Sequence, residues 1–250
     1  MDFEIISVLP ELVSNALPFG VTGRALKEDR YRVRCWNPRD VTTDNYRRVD
    51  DRPYGGGPGM VMMAEPLGRC LQAIRDTRAA ESRTDLRVAC LSPQGTPLNQ
   101  QKVKSLSEGP GLILLCGRYE AIDQRFIDAE VDEELSIGDF VVSGGELPAL
   151  LLIDAIVRLL PGVLNDAESA LQESFVAGLL DCPHYTRPES VGGVTVPSVL
   201  LSGNHRDIDR WRRRESLLAT LRKRPDLLDK ARLEGRLTAE DLRSLGDQLY

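Results

Sequence analysis

The sequence predicts an α/β domain with a mostly parallel sheet, followed by a linker and a small helical domain. Three observations support this prediction. Over the first 160 residues, strand-length apolar runs alternate with helical periodicity, which is typical of βαβ units. Between residues 161 and 196, Asp, Ser, Gly and Pro accumulate and the periodicity fades. Beyond Pro197 the helical periodicity returns.

The predicted strands cover residues 3–9, 87–91 and 112–116, each a short apolar run that ends in a polar or Gly/Pro turn. Helices are predicted over 66–81, 99–107 and 146–160, and the last is apolar almost all round and stops at Pro161-Gly162. Further helices are predicted over 206–223 and 238–249, the second beginning with a Thr-x-x-Asp cap. We place the domains at 1–161 and 179–250, with a flexible interdomain linker at 162–178.

Composition excludes several classes of protein. A hydrophobic fraction of 42% with 28% charged residues is typical of a globular chain. No apolar run approaches the roughly 20 residues that span a bilayer, and the N-terminus lacks a basic signal sequence. The five cysteines contain no CxxC pair and only two histidines accompany them. We expect reduced thiols, no metal site, no membrane partner and a cytoplasmic location.

The net charge of −6 argues against a nucleic-acid partner, but the charge is unevenly distributed. Residues 120–134 contain seven acids and one base, Arg125, so the charge of this segment equals the net charge of the whole chain. Residues 206–224 contain eight bases against three acids, a local charge of +5. An acidic total therefore conceals a basic segment.

The densest motif is DDRPYGGGPGM at residues 50–60, whose glycines allow backbone to approach a ligand closely. No Gly-Lys-Ser/Thr follows, so it is not a phosphate-binding Walker loop. No predicted strand precedes it and GxGxxG is not matched, so it is not a Rossmann fingerprint either. A plain surface turn is the alternative interpretation.

Three further small-residue loops follow apolar runs, at residues 91–95, 117–120 and 136–148. Successive strand ends of an open α/β sheet face one crevice, where ligands bind. Together the loops indicate a cofactor held mainly by backbone groups, although the third loop could instead cap the helix that follows it.

The motifs DDRPYGGGPGM, LSPQG, CGRYEAID, SIGDFVVSGGELPA, LLDCPHYTRPE and VLLSGNH occur in this order. Together they resemble the bacterial tRNA (guanine-N1)-methyltransferases of the SPOUT superfamily. The resemblance runs from about residue 5 to residue 213, and its one change within CGRYEGID is alanine for glycine at position 121. It implies that the parallel sheet carries a deep C-terminal trefoil knot, a feature that sequence rules alone would not predict.

The family binds S-adenosyl-L-methionine in its knot. Carried over residue by residue, the resemblance implies cofactor contacts at small, apolar or loop positions: Leu91, Ser92, Pro93, Gly95, Gly117, Tyr119, Glu120, Ser136, Ile137, Gly138, Asp139, Phe140, Val141, Val142, Gly144, Gly145 and Pro148. Glu120 is the candidate for attracting the sulfonium or the ribose, and its alternative interpretation is a solvated acid.

The implied reaction is methylation of N1 of the guanine 3′ of the anticodon (tRNA position 37). Guanine N1 carries a proton, so the chemistry needs a base. In the family this base is a linker aspartate in an Asp-Ser-Phe motif. This chain has Glu173-Ser174-Phe175 at the matching positions. Glutamate is similarly acidic but one methylene longer. Glu173 is the implied base, and Glu168 and Asp166 are the fallbacks.

Arg158 matches the family arginine near guanine O6, where a cation stabilises developing negative charge. Its alternative interpretation is a helix pair with Asp154. The resemblance also implies a set of substrate-binding positions: Asp50, Gly59, Ser169, Arg187, His205 and Arg214.

Family members are homodimers in which the knot of one subunit meets the linker base of the other. The resemblance implies a homodimer with a shared active site, with tRNA held in part by the basic segment 206–224. A magnesium requirement is a family property, but no octahedral oxygen cluster is visible in the sequence.

Two other functions remain open. A ribose 2′-O-methyltransferase of the same superfamily would not need a linker carboxylate. A non-catalytic RNA-binding or cofactor-sensing module is conceivable because the aspartate is replaced.

Overall fold

The computed structural model describes residues 1–165 and 172–246. The chain divides into two compact units, Met1–Asn165 and Asp166–Tyr250. The division falls inside the segment expected to be a linker, and the three-part division with its boundaries stays a prediction.

The first unit contains eight strands and six helices. The strands are β1 (Asp2–Ile6), β2 (Arg32–Trp36), β3 (Asp50–Asp51), β4 (Val61–Met62), β5 (Val88–Pro97), β6 (Gly111–Cys116), β7 (Ala121–Ile122) and β8 (Glu133–Ser136). The helices are α1 (Pro10–Ser14), α2 (Gly20–Lys27), α3 (Ala64–Ala80), α4 (Gln100–Ser107), α5 (Gln124–Glu130) and α6 (Glu146–Val157).

The central sheet has five strands in the order β2-β1-β6-β5-β8, all parallel, which confirms the predicted parallel sheet. Alternate residues of its strands point to opposite faces and enter two separate cores. One core packs against α1, α2, α4 and α6, and the other against α3 and α5. Strand β6 is buried along its whole length, so it lies at the centre of this layered unit.

Two features of the strands differ from expectation. Strand β5 runs to Pro97 rather than ending at Leu91, because its register with β8 shifts between Leu91 and Thr96 and pairing then resumes. A small sheet of β3, β4 and β7 stands beside the central one. Strand β3 forms the first two residues of the motif at 50–60, and the sequence did not predict this strand. The sequence pattern does not predict β3, β4 and β7, because a strand of two residues is too short to show an alternation of apolar and polar residues.

Many carboxylates of the acidic segment 120–134 have partners within the first unit. Asp123 caps α5 and pairs with Arg125. The backbone N–H of Val88 donates to Asp132 at 2.7 Å. Glu130 pairs with Arg75 at 2.8 Å, and Glu133 pairs with Lys102. Most carboxylates named here in the acidic segment 120–134 therefore form ion pairs or hydrogen bonds inside the protein.

The second unit is mainly helical. Its helices are α7 (Ser198–Leu201), α8 (His205–Lys223), α9 (Pro225–Leu233) and α10 (Ala239–Gly246). A two-stranded hairpin of β9 (Ser190–Val191) and β10 (Val194–Thr195) precedes them, so the unit is not purely α-helical as expected. Leu179, Leu217, Leu228, Ala231 and Leu245 form its core.

The predicted cap of the last helix is present. Thr238 Oγ1 accepts from the N–H of Asp241, and the Asp241 carboxylate accepts from the N–H of Thr238 in return. Within residues 1–165 and 172–246, no helix is both long and apolar enough to cross a bilayer.

Candidate active site

A cavity of about 210 Å³ lies between the irregular part of β5, where its register with β8 shifts, and the carboxyl ends of β6 and β8. The residues of this irregular part and the loops after β6 and β8 form its walls. Fifteen of the seventeen predicted cofactor residues line it: Leu91, Ser92, Pro93, Gly117, Tyr119, Glu120, Ser136, Ile137, Gly138, Phe140, Val141, Val142, Gly144, Gly145 and Pro148. The three small-residue loops thus meet at one cavity, as their positions after successive strands indicate.

Two of the predicted cofactor residues do not line the cavity. Gly95 lies against the backbone of Glu134 and Leu135, where a Cβ atom would have no room. It allows β5 to resume pairing with β8 after the register shift. Asp139 is exposed on the loop after β8. Gly95 therefore has a packing explanation that does not involve a ligand.

Close backbone contacts form the cavity wall between β6 and α6. The N–H of Gly145 donates to the carbonyl of Gly117 at 2.9 Å. A Cβ atom on Gly145 would lie 2.6 Å from Cα of Cys116. One on Gly144 would clash with the side chain of Arg118. Glycine is required here because two backbone segments touch.

A buried ion pair lies behind this wall, and sequence reasoning missed it. Glu146, in the first turn of α6, is fully buried. Its Oε2 accepts from Nε of Arg118 at 2.8 Å, and its Oε1 accepts from Oγ of Ser7 at 2.6 Å. Arg118 also donates to the carbonyl of Ser143 at 3.2 Å. The sequence offered one signal for this network, which is that Glu146 directly follows two glycines at the start of a predicted helix.

Tyr119 connects the cavity to the glycine-rich segment. Its backbone is left-handed, with φ of 63°. Its hydroxyl lies 3.0 Å from Nη2 of Arg39, which also lies 3.9 Å from Oδ1 of Asp50. Burial raises the pKa of Tyr119, and the hydrogen bond to Asp50 raises it further. Asp50, a predicted substrate residue, therefore lies beside the cavity. Arg39 also lies at this site, although the sequence analysis did not predict it.

Gly59 lies next to Glu120. Its φ is +80°, and a Cβ atom there would lie 3.0 Å from Oε2 of Glu120. The N–H of Glu120 donates to the carbonyl of Met60 at 2.9 Å. The predicted substrate residues Asp50 and Gly59 thus both border predicted cofactor residues.

Arg158 lies at the opposite end of α6 from the cavity. It follows the last helical residue, and its N–H donates to the carbonyl of Asp154 at 3.2 Å. Glu146 begins the same helix twelve residues earlier, so the two positions are about 18 Å apart along the axis at a rise of 1.5 Å per residue. Helix α6 therefore places Arg158 away from the cavity of its own chain.

Glu173 lies in the second unit, at the start of a compact turn. The N–H of Val176 donates to the carbonyl of Glu173, and the N–H of Phe175 donates to the carbonyl of Leu179 at 2.7 Å. Ser174 Oγ accepts from the N–H of Asp181 at 2.9 Å. The Glu173 side chain is half-buried. The fallback bases Asp166 and Glu168 and the predicted substrate residue Ser169 lie outside the described residues.

Helix α8 anchors this turn. Thr220 Oγ1 accepts from the N–H of Leu180 at 2.9 Å, and Ser216 Oγ donates to the carbonyl of the same residue. Arg236 donates to the carbonyl of Ala177 at 3.2 Å. Side chains of the helical unit therefore hold the backbone that follows Glu173.

The remaining predicted substrate residues, Arg187, His205 and Arg214, are all exposed in the second unit. In the basic segment, Arg213 instead pairs bidentately with Asp241 at 2.8 and 2.9 Å. That arginine has a structural partner, whereas Arg214 presents its charge to solvent.

Asp181, Cys182 and His184 form a cluster that the sequence did not indicate as metal-binding. Their potential ligand atoms lie within 4.8 Å of one another. The Asp181 carboxylate already accepts from the N–H of Cys182 at 2.7 Å and lies 2.9 Å from Nε2 of His184. These contacts satisfy the carboxylate without an ion, and sulfur and imidazole ligands do not suit magnesium.

Comparison with known proteins identifies similar chains. A family model described as tRNA (Guanine-1)-methyltransferase TrmD matches residues 1–230. A protein of Burkholderia mallei (strain SAVP1) named tRNA (guanine-N(1)-)-methyltransferase is 58% identical over 241 residues, which cover 96% of this chain and 91% of that protein. Proteins of the same name from Burkholderia pseudomallei (strains 668 and K96243) show the same identity and coverage. The similarity spans both compact units.

Proposed function

The chain belongs to the tRNA (guanine-N1)-methyltransferase family, and from this premise we propose its methyl donor, its target and its catalytic residues. The donor is S-adenosyl-L-methionine, and the target is N1 of the guanine 3′ of the anticodon. The observation that carries the proposal is the cavity where the irregular part of β5 meets the loops after β6 and β8.

The residues around this cavity fit S-adenosyl-L-methionine. Leu91, Ile137, Val142 and Pro148 provide an apolar lining for an adenine ring. Gly117, Gly144 and Gly145 leave main-chain groups in the cavity wall without side chains of their own. When bound, the donor supplies an electrophilic methyl group on a sulfonium. The loop backbone orients that group and excludes water from it.

Glu173 is the proposed general base. Guanine N1 must lose its proton as the methyl group is transferred, and a carboxylate oxygen of Glu173 accepts that proton. Supporting this role, the turn that follows Glu173 is fixed by Ser174 and by the contacts of Leu180 to α8.

Arg158 is the proposed cation at guanine O6, and this role requires a second copy of the chain. Supporting this, Arg158 is about 18 Å from the start of α6 in its own chain. Leu147 and Leu151 of α6 are 59% and 50% exposed, and Leu9 and Leu12 near α1 are also exposed. A homodimer would cover these apolar side chains and combine residues of two subunits in each site.

We propose that the first unit is knotted. Strand β8 lies at the edge of the sheet, yet the chain after it contacts Gly117 at the end of central strand β6. It then enters α6, which packs with α1, α2 and α4. A return across the ends of β5 and β6 is compatible with a deep trefoil knot.

The proposed tRNA contacts extend to the second unit. The exposed arginines of α8, among them Arg214, present positive charge to solvent, and arginine binds phosphate bidentately. We place this reaction in the cytoplasm.

Methyl transfer to matched tRNA transcripts tests the proposal. Radiolabelled donor is incubated with transcripts that carry G or A immediately 3′ of the anticodon, and the product nucleoside is identified by mass spectrometry. We expect 1-methylguanosine from the G transcript alone. A 2′-O-methylated product would instead support the ribose methyltransferase. Donor binding without any turnover would support the non-catalytic module.

A further inference from the structure

The cavity wall contains one positive charge that is unfavourable for the sulfonium of the proposed ligand. Among the described residues that line it, Arg118 is the one cation, and Glu120 and Glu134 are the acids. The proposed methyl donor carries a positive sulfonium. A guanidinium in the cavity wall would repel that sulfonium, because two like charges interact more strongly near protein than in bulk water.

Glu146 compensates this charge from inside the protein. It is 0% exposed, and its Oε2 accepts from Arg118 Nε at 2.8 Å. Its Oε1 is held at 2.6 Å by Ser7 Oγ, which itself accepts from the N–H of Leu9 at 2.9 Å. Both carboxylate oxygens therefore have fixed partners. The side chain of Arg118 is 17% exposed and donates to the carbonyl of Ser143.

We propose that Glu146 is a positioning and charge-compensating residue that neutralises Arg118, so that the cavity does not disfavour the cationic sulfonium relative to the neutral thioether left after transfer. Arg118 also supports the loop around Gly144, whose backbone lies against its side chain. This inference rests on the proposed function, because it presumes that the cavity holds the methyl donor.

The two ligands that test it differ chiefly by one methyl group and one charge. S-adenosylmethionine is a cation at sulfur, and S-adenosylhomocysteine is neutral there. The affinity of each for the full-length protein is measured by isothermal titration calorimetry without tRNA. The readout is the ratio of the two dissociation constants, since damage to the cavity shape affects both ligands alike.

We expect Glu146→Gln to weaken binding of the cation about tenfold more than binding of the thioether. A tenfold effect corresponds to one unit charge about 12 Å from the sulfur at an effective dielectric of about 20. Arg118→Gln should shift the ratio in the opposite direction, because it leaves the carboxylate uncompensated. The double variant Arg118→Gln/Glu146→Gln should return the ratio to the wild-type value.

Glu65→Gln is the matched control, because Glu65 forms an exposed ion pair with Arg69 on α3. It should leave the ratio unchanged. If Glu146→Gln does not fold, the ratio of dissociation constants in Arg118→Gln and its return to the wild-type value in the double variant still test the inference. Equal loss of both ligands in the variants, with no change of ratio, would overturn the inference. Wild-type protein that binds neither ligand would instead contradict the proposed function.

Discussion

The hydroxyl of Tyr119 and the guanidinium of Arg39 are 3.0 Å apart, although the two residues are eighty positions apart in sequence. Tyr119 lines the cavity, and Arg39 also approaches Asp50 at the entry to the glycine-rich segment. This contact therefore couples the proposed donor site to residues predicted to hold the RNA.

Tyr119→Phe should raise the KM for tRNA about threefold to tenfold, because it removes hydrogen bonds whose net contribution is about 1 kcal/mol. The dissociation constant of the donor should change less than twofold, since the ring remains in the cavity wall. Steady-state kinetics and calorimetry measure the two effects. Tyr46→Phe is the control, because Tyr46 is 84% exposed. Equal weakening of donor and tRNA would contradict the coupling.

Gly145→Ala should destabilise the first unit by about 1–3 kcal/mol and weaken donor binding, because its Cβ would lie 2.6 Å from Cα of Cys116. Gly68→Ala on α3 is the contrast. Nothing lies within 4 Å of a Cβ there, so the change should stabilise the helix by about 0.5–1 kcal/mol. Urea unfolding measures both. A neutral Gly145→Ala variant would show that the backbone contact is looser than described.

Substitutions of Glu173 test the base. Glu173→Ala should lower kcat about 10²- to 10⁴-fold, the usual contribution of a general base. Glu173→Asp should retain part of the activity, since it restores the family carboxylate on a shorter side chain. Single-turnover assays with saturating donor measure the chemical step. Full activity of Glu173→Ala would assign the base elsewhere and favour ribose methylation.

Mixing two impaired variants tests whether the active site is shared. Glu173→Ala and Gly145→Ala subunits are combined under conditions that allow exchange, and the assay uses a donor concentration too low for Gly145→Ala alone to turn over. If each site joins the cavity of one subunit with Glu173 of the other, random mixing restores about a quarter of wild-type activity. The mixture is assayed for methyl transfer beside each variant alone. Persistent inactivity of mixed dimers, demonstrated by tag-based purification, would place each site within a single chain.

Acid should weaken the second unit through Asp241. The hydrogen bonds from Arg213 hold the pKa of this buried carboxyl below its ordinary value. A lowered folded-state pKa stabilises the fold above the unfolded-state value of about 4, and the stabilisation is lost as the pH falls through the folded-state value.

Asp241→Asn should therefore lower the free energy of unfolding by about 2–4 kcal/mol at pH 7 and by much less at pH 2. Fluorescence of Trp211 in a Trp36→Phe background follows the unfolding. Asp226→Asn, which removes an exposed pair with Arg224, should have little effect at either pH. A deficit of equal size at both pH values would assign the role of Asp241 to capping α10 rather than to the ion pair.

The central sheet and the cavity loops are predictable because their signals are local. Residues 88–91 of the first apolar run lie in β5 and the run at 112–116 lies in β6. The small residues that line the cavity follow each run directly. The Arg118–Glu146 pair is not predictable in this way. Ser7 lies 139 residues before Glu146, and only the fold brings them together. The same holds for Arg39 and Tyr119.

The position of Arg158 shows a different limit of sequence reasoning. A matching motif assigns it beside the substrate, whereas helix geometry places it far from the cavity of its own chain. Motif order along one chain contains no information about which copy supplies a residue. That information has to come from distances.

The internal pairing of the acidic segment has a consequence for how RNA approaches the protein. Carboxylates neutralised within a few ångströms by Arg75, Lys102 and Arg125 contribute little to the long-range electric field. Arg206, Arg214 and Arg222 of α8 are exposed. We expect a polyanion to approach the protein at this helix and added salt to slow its association, even though the molecule as a whole would migrate towards an anode.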